Sequence, residues 1–111
     1  MSETNRGPLS EAVFYILLSL LEPCHGYGII KKTEKMSSGR IMLGAGTLYG
    51  ALETLVSKGW IEPCGNVERR KLYQITAAGK ETLRCEIERL EELSENGRRQ
   101  LKENNNAAVP N

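Results

Sequence analysis

The sequence lacks several features that would place it in a specialised class of protein. Its longest apolar stretch, residues 12–21, is broken by Tyr15 and Ser19 and is too short to cross a bilayer. Only three cysteines occur, they are widely spaced, and no signal peptide precedes them. We therefore expect a reduced cytoplasmic protein with neither a disulfide framework nor a membrane anchor.

The sequence also lacks net charge, since 15 basic and 14 acidic residues leave a formal charge of +1. The overall balance therefore says nothing about nucleic acid. Residues 31–80, however, hold nine lysines and arginines against four glutamates. A local basic excess is the electrostatic footprint expected of a nucleic-acid-binding protein, although a charged run is often only a solvated face. The length of 111 residues suits one domain.

Catalytic patterns are missing as well, because no acid, base and nucleophile converge, so we predict neither an enzyme nor a cofactor. Cys24, His25 and Cys64 invite a metal site, but the close paired spacing of structural zinc sites is absent, which favours a hydrogen-bonded turn histidine. Glycines 44, 46 and 50 do not precede the Gly-Lys-Ser/Thr of a phosphate-binding loop. Cys85 is left as a minor candidate for a redox sensor.

Hydrophobic periodicity predicts three short helices, a hairpin and a long helix. The first two helices are expected at residues 8–21 and 27–37, and a small strand at 40–43. Strands at 60–64 and 71–75 flank a turn at 65–70. A long helix, capped by Thr76, is expected from residue 77 to about 102.

The third helix organises this interpretation. Its buried face is predicted by apolar residues at helical spacing, namely Leu48, Leu52 and Leu55. Thr47 is expected to cap it, and Gly59 stands where a helix ends in a left-handed residue. The opposite face carries Tyr49 and small or hydrogen-bonding side chains. Such a helix can be core packing alone, or it can enter a DNA major groove.

The predicted fold is mainly α with a small β-hairpin, a winged helix-turn-helix with a long C-terminal dimerisation helix. We assign residues 7–76 to the DNA-binding domain, 77–103 to the dimerisation helix, and 1–6 and 104–111 to disordered tails. In this arrangement the third helix reads base edges and the cationic wing contacts phosphates. The candidate DNA-binding residues are Tyr27, Lys31, Thr47, Tyr49, Arg69, Arg70 and Lys71.

Each of these candidates also has a purely structural interpretation. Tyr49 could pack against the wing, Thr47 could serve only as a cap, and Tyr27 could cover the core. The three adjacent cations at 69–71 could belong to a solvated turn. Only some of the lysines at 31, 32 and 35 can face DNA.

Dimerisation is predicted from the last helix, whose apolar residues fall close to a coiled-coil seam. The first helix is apolar over a face too broad for one packing contact, so it is expected to contribute. The candidate interface residues are Leu17, Leu83, Ile87, Leu90 and Leu101.

The sequence resembles the PadR family of transcriptional regulators, in the short form with a single C-terminal helix. The resemblance covers about residues 7–80 and rests on GPLSEA at 7–12, HGYGI at 25–29, GTLYGAL at 46–52, KGWI at 58–61 and RKLYQITAAG at 70–79. It implies a homodimeric repressor of a palindromic operator in double-stranded DNA, with a small hydrophobic or phenolic effector in some members. Members that bind planar drugs hold an aromatic side chain on the last helix, whereas no aromatic follows Tyr73 here. The alternative is a winged-helix module that binds another protein.

Overall fold

A computed structural model describes residues 7–107 as four helices and a three-stranded antiparallel sheet. The predicted N-terminal tail at 1–6 lies outside the described residues, as do residues 108–111 of the predicted C-terminal tail. The sheet order is β1-β3-β2. The elements in chain order are α1 (Glu11–Ser19), β1 (Cys24–His25), α2 (Gly26–Met36), α3 (Ala45–Ser57), β2 (Ile61–Val67), β3 (Arg70–Ile75) and α4 (Ala77–Ala107).

Helix α1 begins three residues later than predicted, because Ser10 rather than Pro8 determines its start. The Ser10 hydroxyl accepts the N–H of Val13 at 3.1 Å, which satisfies one of the amides that a helix leaves free at its N-terminus. The helix ends at Ser19, two residues short of the predicted end.

The smallest strand lies at a different place from the one predicted. Residues 40–43 form no strand, because the Ile41 amide donates to the Ser37 hydroxyl at 3.0 Å instead of to a neighbouring strand. Cys24 and His25, which lie between the first two predicted helices, pair with Tyr73 and Leu72 of β3. A two-residue strand has no periodicity of its own, so tertiary pairing alone determines it.

Helix α3, by contrast, begins earlier than predicted. Gly44 is the N-cap and makes no side-chain capping bond, so Thr47 lies inside the first turn and is not the cap. The predicted end is confirmed: Gly59 has a φ of 79°, and the Trp60 and Gly59 amides donate to Leu55 and Val56 at 3.1 and 2.9 Å. These bonds form a Schellman motif, which turns the chain into β2.

The hairpin turn is shorter than the predicted turn at 65–70. Val67 pairs with Arg70, so only Glu68 and Arg69 connect the strands, with φ values of 51° and 67°. Two left-handed residues give the turn the twist of the flanking strands. Between Pro63 and Gly65, β2 has one residue more than β3 opposite it, and a register shift accommodates that residue. Gly65, with a φ of 126°, follows the shift.

One core joins the three short helices to the sheet. Its members with at most 1% of their surface exposed are Ile16, Leu17, Leu20, Ile29, Leu48, Leu52, Leu55 and Ile61. Leu17 was predicted to contact a partner chain, but it is fully buried inside its own. The apolar breadth of α1 therefore reflects burial within one chain, and Leu17 is removed from the interface.

Helix α4 starts as predicted, with the Thr76 hydroxyl accepting the Gly79 amide at 3.1 Å. It runs four residues beyond the predicted end at 103, because asparagine only weakly disfavours a helix and no proline occurs before position 110. Its first turns pack on α1 and β3, and residues 91–105 are all exposed. The radius of gyration is 17.6 Å, against about 13 Å for a compact domain of this length.

The predicted architecture is thus confirmed as a mainly helical winged helix-turn-helix with a small sheet and a long final helix. Helices α1–α3 form the helical part, and the β2–β3 hairpin forms the wing. Within residues 7–107, no helix is both long and apolar enough to cross a membrane.

Candidate nucleic-acid interface

All seven predicted DNA-binding residues are exposed. Tyr27 and Lys31 lie in the first half of α2, and Thr47 and Tyr49 lie near the start of α3. Arg69 lies in the wing turn, and Arg70 and Lys71 begin β3.

His25 connects the N-terminus of α2 with the wing. Its Nδ1 accepts the Gly28 amide at 3.2 Å and so caps α2, while its Nε2 lies 3.4 Å from Nη1 of Arg70. Because Nδ1 accepts, the proton of a neutral ring belongs on Nε2, so the Arg70 contact is a close approach between two donors. The Arg70 side chain thus lies beside the first turn of α2.

His25 is thus hydrogen-bonded, as the sequence favoured, although it lies in β1 and caps α2 instead of lying in a turn. Within residues 7–107, the His, Cys, Asp and Glu side chains form no group of three or more that could hold a metal ion. Cys24 is buried behind the histidine, and its Sγ lies 3.5 Å from the His25 carbonyl oxygen.

Tyr49 brings α3 to the same point. Its Oη would lie 2.5 Å from a Cβ built on Gly26, the first residue of α2, and its ring carbons Cζ and Cε1 would lie at 3.0 and 3.3 Å. Gly26 is buried, whereas 52% of the surface of Tyr49 stays exposed. Tyr49 therefore packs over the start of α2.

The lysines of α2 divide between two tasks. Lys32 donates to the carbonyl oxygen of Ser19 at 3.4 Å, at the C-terminus of α1, where a cation complements the helix dipole. Lys31 stays on the outside, with its Nζ 5.4 Å from the ring centroid of Tyr27. Tyr27 is 58% exposed and does not cover the core.

One further cation of the basic middle segment is engaged within the chain, since Arg40 forms an ion pair with Glu11 at 2.9 Å. Lys58 and Lys71 lie over aromatic rings as Lys31 does, with Nζ 5.1 and 5.8 Å from the centroids of Trp60 and Tyr73, and both remain exposed. The nine basic residues between 31 and 80 thus overstate the charge available to a partner. The wing cations and Lys31 remain the main candidates.

The exposed face of α3 carries the small or hydrogen-bonding side chains predicted from the sequence. At about 100° per residue, Thr47 and Tyr49 lie about 160° apart across this face and flank it. Between them lie the exposed Glu53, Thr54 and Ser57, together with Gly46 and Gly50, where an added Cβ would meet no atom within 4 Å. The helix backbone can therefore approach a flat partner closely at the two glycines.

The structure thus brings three of the predicted residues to one junction and leaves the others around it. Tyr27, Tyr49 and Arg70 surround the α2 N-terminus through Gly26 and His25. Arg69 lies three residues from the strand position paired with His25, about 10 Å along the wing. Hydroxyls, cations and a helix N-terminus on one exposed surface suit a polyanion.

A second surface lies on α4, where the predicted dimer residues differ in burial. Leu83 is 5% exposed against its own chain, but Ile87, Leu90 and Leu101 are 40%, 42% and 69% exposed. Leu21, two residues after the end of α1, is 51% exposed and lines one groove with Leu83 and Ile87. The exposed apolar stripe therefore runs from the base of α4 along its projecting part.

Comparisons with known proteins agree with this arrangement. Residues 14–85 match the model of the transcriptional regulator PadR-like family. An uncharacterised 37.1 kDa protein in transposon TN4556 of Streptomyces fradiae is 36% identical over 86 residues, which make up 77% of this chain and 24% of that protein. The chain thus spans about a quarter of the length of this curated relative.

Two solved structures are similar in both sequence and fold. The PadR family transcriptional regulator from Eggerthella lenta DSM 2243 is 31% identical with a TM-score of 0.62, and the match covers 82% of this chain and 80% of that one. A PadR family transcription regulator from Clostridium difficile R20291 is 27% identical with a TM-score of 0.64, covering 80% and 97% respectively.

Proposed function

Because this chain belongs to the PadR-like family of transcriptional regulators, we propose that it binds double-stranded DNA as a homodimer and represses transcription from a palindromic operator. The observation that carries the proposal is the junction of α2, α3 and the wing, where Tyr49 meets Gly26 and Arg70 meets His25. Three elements that are distant in sequence present one exposed surface suited to phosphates.

In the proposed complex, α3 lies in the major groove with its glycine-centred face toward the bases. Thr47 and Tyr49, on the two flanks of that face, are the side chains nearest to base edges or to the bordering phosphates. Arg69, Arg70 and Lys71 extend along the wing to the adjacent backbone, with Lys31 on the α2 side. Cations supply most of the affinity, and groove contacts supply the sequence preference.

The homodimer is proposed from the exposed part of α4. Residues 91–105 are helical and exposed, and an isolated helical segment of about this length is marginal in water. The stripe of Ile87, Leu90 and Leu101 continues the buried line of Leu83, so a second α4 would extend the packing. A two-fold dimer presents two copies of α3, which suits two half-sites related by a palindrome.

A small hydrophobic or phenolic effector that releases the DNA is the third part of the proposal. The groove between Leu21 and α4 has apolar walls at Leu83 and Ile87, while its cations Lys80 and Arg84 are matched by the carboxylates Glu88 and Glu91, so its aliphatic walls favour a hydrophobic ligand. Since no aromatic follows Tyr73, such a ligand would pack on aliphatic side chains instead of stacking.

DNA binding is tested by fluorescence anisotropy with DNA from upstream of the protein's own gene and with a scrambled duplex. We expect selective binding that weakens by about a thousandfold between 50 and 200 mM salt, as for six phosphate contacts. The double variant Tyr49→Ala/Arg70→Ala should lose most of the affinity. Arg98→Ala, which removes an exposed cation from α4, is the control and should bind normally.

Equal, weak binding to both duplexes would contradict the proposal. The winged-helix protein-interaction module would then take its place. Undiminished binding by the double variant would leave DNA binding standing but reject this surface.

A further inference from the structure

Gly26 is a glycine that its own backbone does not require. The glycines with left-handed φ among residues 7–107 are Gly39, Gly59 and Gly65, and Gly26 is not one of them. It is the first residue of α2, where alanine would be accepted and favoured on conformational grounds. The glycine must therefore be explained by the neighbouring atoms, which leave no room for a side chain at position 26.

The space that Gly26 leaves is filled by Tyr49. A Cβ at position 26 would lie 2.5 Å from the tyrosine Oη, closer than real Cβ atoms come to another atom, and 3.0 Å from Cζ. Both atoms belong to the far end of the Tyr49 side chain. The ring would therefore rotate away from the new methyl group, and α2 and α3 would stay in place. An alanine here would move Tyr49 without unfolding the protein.

We propose that Gly26 is a positioning residue for Tyr49 in DNA binding, and this inference rests on the proposed function. Because Gly26 has no Cβ, the tyrosine can lie across the first turn of α2. Its hydroxyl is then part of the junction of α2, α3 and the wing, to which Arg70 also belongs. The helix that enters the groove is thereby aligned with the helix and the wing that contact phosphates.

The position of Tyr49 is tested first without DNA, by NMR. In the wild type, the Gly26 α-proton that points along the Cβ direction lies against the tyrosine ring and carries a ring-current shift. Tyr49→Ala should remove that shift, whereas Tyr27→Ala, which deletes the adjacent exposed tyrosine, should leave most of it. An unchanged Gly26 signal in Tyr49→Ala would overturn the proposal.

The role of Gly26 in binding is then tested by a double-mutant cycle with DNA from upstream of the protein's own gene. Gly26→Ala should weaken binding about tenfold, as expected for one lost hydrogen bond to a charged group. In the Tyr49→Ala background, the same change should alter binding less than about twofold, because the displaced group is already gone. In the Tyr27→Ala background, the tenfold loss should persist.

Several results would overturn this assignment while leaving the proposed function intact. Wild-type affinity in Gly26→Ala would be one such result, and an equal loss of affinity with and without Tyr49 would be another. Thermal melting checks that each variant is folded. A wild-type protein that binds no DNA would instead reject the proposed function itself, and the NMR result would still report on the packing.

Discussion

At the scale of single residues, the same amino acid serves opposite purposes in this protein. Gly79 lies in the first turn of α4, and a Cβ there would meet the Trp60 carbonyl oxygen at 2.1 Å and a side-chain carbon of Ile75 at 2.7 Å. Gly50 lies in the middle of α3 with nothing within 4 Å of the same position. Gly79 is a packing requirement, whereas Gly50 is unexplained by the fold.

Alanine at these two positions should therefore have opposite effects on stability. Gly79→Ala should lower the free energy of unfolding by about 1–3 kcal/mol or more, because backbone cannot yield as a side-chain end can. Gly50→Ala should raise it by about 0.5–1 kcal/mol through helix propensity alone. Urea unfolding monitored by circular dichroism measures the free energy of unfolding of both variants. If both variants were stabilised, or both destabilised, the atoms around each glycine would not be what determines the effect of alanine.

At the scale of elements, a buried carboxylate attaches α4 to the chain that precedes α1. Glu86 is 3% exposed and accepts the Leu9 amide at 3.1 Å, together with Nε and Nη2 of Arg89 at 2.8 and 2.7 Å. The hydrogen bonds from Arg89 hold the pKa of Glu86 below its ordinary value, although burial acts in the opposite direction. The ionised form is thus favoured by folding.

This contact predicts a loss of stability in acid. A carboxyl group whose pKa is lowered by folding stabilises the protein above its unfolded pKa of about 4.3, and that contribution disappears as the pH falls through the folded value. Urea unfolding at pH 7 and at lower pH should show Glu86→Gln destabilised at neutral pH, with the difference from wild type shrinking in acid. The exposed Glu88→Gln is the control, and a constant difference for Glu86→Gln would contradict the linkage.

At the scale of the whole molecule, the shape is set by a helix that leaves its own domain. The chain extends over 65 × 32 × 20 Å, and the 31 residues of α4 account for about 46 Å of helix. The leucines in residues 91–105 of this helix are exposed, so no other part of the described chain covers them. The proposed dimer gives this helix a reason to persist beyond the winged domain.

A lysine in the apolar stripe should therefore separate the proposed dimer. Leu90→Lys should sediment as a monomer at micromolar concentration, since a charge buried without a partner opposes association. Its affinity for a palindromic site should fall as well, because one half-site contact is lost. Glu92→Lys places the same charge about 200° around the helix and should remain dimeric. A monomeric wild type would end this proposal.

Taken alone, the sequence determined the fold class and the order of the four helices and the hairpin. Leucine periodicity identified α3, Gly59 marked its end, and Thr76 marked the start of α4, because caps and amphipathic faces are local properties. Boundaries without such signals were missed. Thr47 was predicted to be the cap of α3, but Gly44 precedes the helix with no capping side chain to reveal it.

Only the tertiary structure decided which residues meet. Leu17 and Leu90 carry the same side chain, yet one is buried in its own core and the other is 42% exposed, which depends on the docking of α1 and α4. The strand at Cys24–His25 and the contact of Tyr49 with Gly26 join positions far apart in sequence. Periodicity reports which face of one element is apolar, but the partner of that face is fixed only when all the elements pack together.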